Sequence, residues 1–157
     1  MYPILLRTPA LCLVALCVFA QTAHAQEGRA KGLRVEVGHS SNHDGSDTGF
    51  SGAIHFVTSI DHADLLRFEV GLIGGHPYLG LDAGIELRFP QQARVGLLLR
   101  AGGGLLGEDG FFGAYGRAGG GLELAVSRRL ALRATWQAGV HGGRSGPHLL
   151  HFGFDYR

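Results

Sequence analysis

The sequence predicts an all-β fold, an eight-stranded antiparallel up-and-down transmembrane barrel, and three observations carry that expectation. An apolar segment near the N-terminus has the layout of an export signal. Beyond residue 33 the hydrophobic pattern has period two, sustained for about ten residues at a time and broken by turn residues. The polar side of these segments carries charges of both signs interleaved with glycine, which suits a narrow enclosed lumen.

The export signal comes first in the chain. Arg7 precedes the apolar run of residues 10–20 (ALCLVALCVFA), which leads to Ala23-His24-Ala25 before Gln26. A charged leader, a short apolar run and an A-x-A site make a secretory signal, and the run is too short to span a bilayer as a helix. Cleavage there gives a signal peptide (1–25), a short N-terminal segment (26–32) and a barrel (33–157). Bulky Leu16 before Cys17 disfavours a lipid-anchored alternative. Cys12 and Cys17 both leave with the signal, so the mature chain can form no disulfide. The chain has 14 Lys+Arg, one of them Arg7, and 13 Asp+Glu, so the mature part is balanced. No basic field for nucleic acid exists, and no motif asks for a cofactor.

The strands follow in order. In residues 33–41, Leu33, Val35 and Val37 oppose Arg34 and Glu36; in 49–60, Phe50, Ile54 and Phe56 oppose Ser51, Ala53 and His55. Residues 65–74 set Leu66, Phe68, Val70 and Leu72 against Arg67 and Glu69. In 78–89 the apolar side runs Leu79, Leu81, Ala83, Ile85, Leu87 and Phe89, with Asp82, Glu86 and Arg88 opposite. Residues 94–105 set Val95, Leu97 and Leu99 against Arg94, Gly96 and Arg100, and 112–126 set Ala114, Ala118, Leu122 and Leu124 against Tyr115, Arg117 and Glu123. In 130–141, Leu130, Leu132, Trp136 and Val140 oppose Arg133, Thr135, Gln137 and His141. In 149–156, Leu150, Phe152, Phe154 and Tyr156 oppose His151, Gly153 and Asp155.

In a soluble sandwich, the alternative architecture, the apolar faces would form the core and the polar faces would meet water. Here the polar faces together carry Arg34, Arg67, Arg88, Arg94, Arg100, Arg117 and Arg133 with Glu36, Glu69, Asp82, Glu86, Glu123 and Asp155. That mixture is expected to form a salt-bridged lumen, with the apolar side toward lipid, since only helices and closed barrels satisfy every backbone group in a membrane. Counted from a periplasmic N-terminus, the turns at 61–64, 90–93 and 127–129 fall on the periplasmic side. The connections at 42–48, 75–77, 106–111 and 142–148 face outward and are short, which weakens an adhesin or receptor reading.

These residues resemble the small eight-stranded outer-membrane barrels, similar to the OmpA transmembrane domain, over nearly the whole mature chain. Residues 153–157 (GFDYR) resemble the assembly signal that bacterial barrels present to the insertion machinery. The resemblance implies roles for Gly153, Phe154 and Tyr156 there, with Tyr156 as the terminal aromatic ahead of Arg157. It also implies residence in a Gram-negative outer membrane, with membrane lipid, lipopolysaccharide and the insertion machinery as partners.

One polar stretch stands apart, residues 39–44 (HSSNHD). Strand parity puts His39 and Ser41 on the apolar, outward side near the rim, where polar groups are costly unless they sit at headgroup level. The stretch resembles the His-x-Ser-Asn of outer-membrane lipid A 3-O-deacylases, which implies Ser41 as nucleophile and His39 as its base. Asp44, Asp47, Glu108 and Asp109 are the carboxylates available as a third member; residues 49–60 contain none. The structural alternative is a polar turn joining two strands. His39, His43, His76, His141 and His148 gather near the outward ends with no metal-binding signature, and His55 and His151 face the lumen as partners of its charges. Residues 102–104 and 119–121 are glycine runs without the context of a phosphate loop and read as places where strands bend or lumen side chains pack. The leading functional expectation is a non-enzymatic, charge-plugged barrel; a lipid A deacylase-type serine hydrolase is the alternative.

Overall fold

The alternating segments form eight strands in the computed structural model, which describes residues 31–41, 48–60, 65–75, 78–90, 93–108, 111–141 and 144–157. The signal-peptide expectation lies outside the described residues. The strands are β1 (Lys31–Ser41), β2 (Thr48–Ser59), β3 (Leu66–Gly75), β4 (Tyr78–Phe89), β5 (Val95–Glu108), β6 (Phe111–Ala125), β7 (Leu130–His141) and β8 (Arg144–Tyr156). Each pairs antiparallel with its sequence neighbours, and β1 also pairs with β8, Val35 opposite Phe154, so the sheet closes into a barrel. Closure removes every strand edge, which a sandwich would keep. No helix among the described residues is long and apolar enough to cross a membrane, which says nothing of crossing by strands.

Burial inverts the order of a water-soluble protein. Arg34, Arg67, Glu69 and Glu86 are at most 1% exposed inside the barrel. Outside, every strand contributes a large apolar side chain that is 45–56% exposed: Val37, Ile54, Leu72, Ile85, Leu99, Leu122, Leu132 and Phe152. A continuous apolar belt of this kind far exceeds the patches that soluble monomers tolerate. The period-two sequence pattern and this two-sided wall are one fact at two levels, since successive Cβ atoms point to opposite faces of a strand.

The strands outrun the sequence expectation at two hairpins. β5 continues to Glu108 and β6 begins at Phe111, with those two residues opposite one another. Only Asp109 and Gly110 separate them, a dipeptide suited to a tight hairpin connection. β8 begins at Arg144, five residues before the expected start at Leu149, and pairs His141 with Arg144 and Val140 with Ser145. A register shift between Ala138 and Val140 absorbs Gly139 opposite Gly146 and Pro147. A bulge admits a proline, which has no N–H for the ladder, so turn-forming residues sit inside a strand here.

Candidate functional site

The lumen is built in layers by inward residues of all eight strands. At the end where β1 begins and β8 ends, the terminus end, Glu123 accepts from Arg88 Nε at 2.8 Å, from Arg67 Nη1 at 2.7 Å and from Arg157 Nη2 at 2.8 Å. The remaining N–H groups of Arg88 reach the carbonyls of Pro90 and Ala93, each at 2.7 Å, closing that mouth. In the middle, Arg34 donates to Asp155 at 2.7 Å, to Glu86 at 2.8 Å and to Glu69. Arg133 bonds Asp155 at 2.9 Å and Glu86, while Arg100 bonds Glu36 at 2.9 Å and Glu69 at 2.8 Å. Nearer the other end, Arg117 bonds Glu69 at 2.5 Å, Asp82 and Gln137.

Among the described residues six arginines and six carboxylates are thus buried, so their charges sum to zero. Every carboxylate but Asp82 is shared by more than one guanidinium, and Asp82 adds His55 and Tyr115 to Arg117, because an unpaired buried charge would cost several kcal/mol. The seventh expected cation, Arg94, is a correction. It precedes β5, is exposed and makes no ion pair among the described residues. A Cβ at the next inward position, Gly96, would lie 2.9 Å from Arg88 Cζ. Arg88 therefore already fills the space over Gly96, the inward position next to Arg94 along the chain. Arg157, which strand parity did not single out, joins the network through Glu123.

A second, less charged layer holds the two histidines that parity turned toward the lumen, in pairings that the strand pattern did not give. Ser51 Oγ and His151 Nε2 share a hydrogen bond of 2.7 Å, and His55 Nε2 and Asp82 Oδ2 share another of 2.7 Å. Tyr115 donates its hydroxyl to Asp82. None of these pairs lies on adjacent strands. Ser51 and His151 both oppose Gly38, His55 and Asp82 both oppose Gly71, and Asp82 and Tyr115 both oppose Gly104. Two strand spacings come to about 10 Å between backbones, and the side chains meet because the intervening residue has none. The signal was therefore present as glycine at inward parity, but it becomes readable only once the register of three strands is known. Beyond this layer Ile73, Tyr78, Leu106 and Leu149 form an apolar cluster with Ala53 and Tyr115.

His39 and Ser41 both face outward on β1, as strand parity requires; Ser40 between them is buried. Two residues along a strand are about 7 Å apart between Cα atoms, and no hydrogen bond joins the pair. Opposite His39 stand Phe50 and Leu150, and opposite Ser41 stand Thr48 and His148. Trp136 stacks on His148, with ring centroids 5.9 Å apart. Glu108 lies on β5, half-way round the ring from β1. Asp44, Asp47, Asp109, His43 and His76 are outside the described residues. Among the described residues the arrangement is a polar and aromatic rim, with no carboxylate beside His39 or Ser41.

Two groups of three potential metal ligands occur among the described residues: His55, Glu69 and Asp82, and Glu86, Glu123 and Asp155. Neither suits a metal. Arg117 holds Glu69 and Asp82, Arg34 and Arg133 hold Glu86 and Asp155, and Arg67 holds Glu123. A guanidinium cannot give up its charge to make room for a cation.

The crystal structure of Neisserial surface protein A superposes with a TM-score of 0.67 at 20% identity, covering 83% of this chain and 99% of that one. The fold is that of the small eight-stranded outer-membrane barrels. A de novo designed transmembrane β-barrel gives a TM-score of 0.56 at 18% identity, covering 80% of this chain and 93% of that one. A second designed barrel, solved by solution NMR, gives 0.50 at 18% identity, covering 84% and 97%. No protein-family model and no curated protein matches the chain. Designed sequences adopt the same architecture, so the fold by itself assigns no task.

Proposed function

We propose that the chain is an integral, non-enzymatic barrel of a Gram-negative outer membrane, exported through residues 1–25 and serving a structural or surface-interaction role with a closed lumen. The observation that supports this reading most is the inverted burial, with neutral ion pairs inside and large apolar side chains half-exposed on every strand. Eight strands enclose a space that side chains can fill. Here arginine–carboxylate layers and the apolar cluster around Ile73 and Leu106 occupy it in series, which supports a plug rather than a pore. GFDYR at residues 153–157 supports recognition by the insertion machinery, with Phe154 and Tyr156 exposed on the outer wall of β8.

Expression of the full chain in a Gram-negative host tests the reading. The protein is expected in the outer-membrane fraction, resistant to urea extraction and migrating faster on gels before boiling than after. Recovery as a soluble periplasmic protein would overturn it. Lipid A from the same membranes is expected to keep all its acyl chains. Loss of one chain with the wild type but not with Ser41→Ala would replace the non-enzymatic reading with a deacylase acting through residues 39–41.

A further inference from the structure

Three exposed arginines stand where the apolar belt ends, on one arc of the terminus-end rim. Arg94 lies between β4 and β5, and Arg128 and Arg129 lie between β6 and β7. The backbone ties these segments side by side. Ala125 N donates to Arg94 O at 2.7 Å, and Arg157 N donates to Arg129 O at 2.8 Å. The β6–β7 turn is braced by Ser127, whose hydroxyl accepts from the N–H groups of Arg129 at 3.2 Å and Leu130 at 3.1 Å. The arc thus spans the ends of β5 to β8, about 15 Å at three strand spacings.

Its charge is uncompensated among the described residues. None of the three arginines makes an ion pair there, and Glu123 and Asp155, on β6 and β8, are at most 2% exposed and held by lumen arginines. Asp61 and Asp64, between β2 and β3, are outside the described residues. Directly on the membrane side of the arc the wall is apolar and exposed at Val95, Leu124, Val126 and Tyr156. Cations one step beyond an apolar wall sit at the depth of lipid phosphates, where anionic headgroups attract them.

We propose that this arc is a binding site for the headgroup of an anionic phospholipid in the leaflet at the terminus end, with the acyl chains lying against β5–β8. The assignment rests on the membrane-barrel reading above. The site gives the barrel a fixed lipid neighbour on one side, with guanidinium forks to phosphate oxygens and alkyl chains on the outer leucines and valines.

Native mass spectrometry of the folded protein in detergent tests this, with phosphatidylglycerol, phosphatidylethanolamine and lipid A offered in equal amounts. Folding is checked separately by gel migration before and after boiling. The wild type is expected to retain phosphatidylglycerol several-fold over phosphatidylethanolamine, and the triple variant Arg94→Gln, Arg128→Gln, Arg129→Gln to lose that preference while folding normally. Equal retention by wild type and variant would overturn the site, and so would a preference for lipid A over phosphatidylglycerol, because it assigns the arc to the other leaflet. Failure of the wild type to fold in detergent or lipid would remove the barrel reading itself and this inference with it.

Discussion

Arg34 and Arg94 are the same side chain in two regions of one barrel, and their surroundings share almost nothing. Arg34 has no exposed surface and bonds carboxylates from β3, β4 and β8. Arg94 is exposed at the rim and meets no carboxylate among the described residues. Inward parity is common to both in the sequence. The difference lies in what the surrounding strands place opposite: acids one, two and three strands away for Arg34, an arginine already folded across glycine for Arg94. An inward charge on a narrow barrel is thus a structural element when the opposing wall answers it, and a surface group when the space is taken.

The largest effect should come from breaking the answered case. Arg34→Met leaves Glu69, Glu86 and Asp155 each short of a donor in a water-poor interior, and removal of one partner from a buried ionic network costs about 3–5 kcal/mol. The urea midpoint of the folded, fast-migrating form should fall accordingly. An unchanged midpoint would mean that water enters the lumen and solvates those acids, so the contrast between interior and rim would collapse.

The outer wall offers the second test. Ile54, near the middle of β2, is 50% exposed on the belt between Val35 and Leu72. Ile54→Arg puts a charge into lipid at about 2–4 kcal/mol near the midplane, and the fraction of protein assembled in membranes should drop. Full assembly would indicate that this wall faces water or another protein. A smaller loss is expected for Gly71→Val, at about 1–3 kcal/mol for overpacking. A Cβ there would lie 1.9 Å from the Ile54 carbonyl oxygen and 2.7 Å from His55 Cα, and would part His55 from Asp82. Gly116→Ala is its control, because that Cβ meets nothing nearer than Val140 Cγ2 at 3.5 Å. If the two glycine variants unfold at the same urea concentration, the gaps are incidental to the histidine layer.

How much of this was legible beforehand follows the range of the interactions. Alternation is a local property, so Val35 beside Arg34 announced both strand and facing, and Tyr78–Phe89 and Leu130–His141 emerge with their expected bounds. Hairpins at Asp109-Gly110 and around Gly146-Pro147 were misplaced because turn-forming residues also serve tight connections and bulges, which depend on the partner strand's register. The Ser51–His151 and His55–Asp82 pairs span 100 and 27 residues and meet across glycines on a third strand. No window along the chain contains that geometry. His39 and Ser41, two residues apart on β1, share its outward face, as local parity alone requires.

The smallest effect should come from the unanswered arginine. Arg94→Met removes no ion pair among the described residues and leaves the bond from Ala125 N to the residue-94 carbonyl available, since that bond needs only the backbone. Stability should therefore stay within about 0.5 kcal/mol of wild type, as for surface positions without a special role. Measured beside Arg34→Met in the same detergent, the pair isolates position from chemistry, because both substitutions exchange the same guanidinium for the same thioether. A loss at residue 94 approaching that at residue 34 would mean that Arg94 turns inward and that the lumen holds seven buried cations against six anions. A null effect on stability, combined with weakened retention of phosphatidylglycerol, would instead separate the two regions by task, the interior holding the barrel together and the rim holding its lipid.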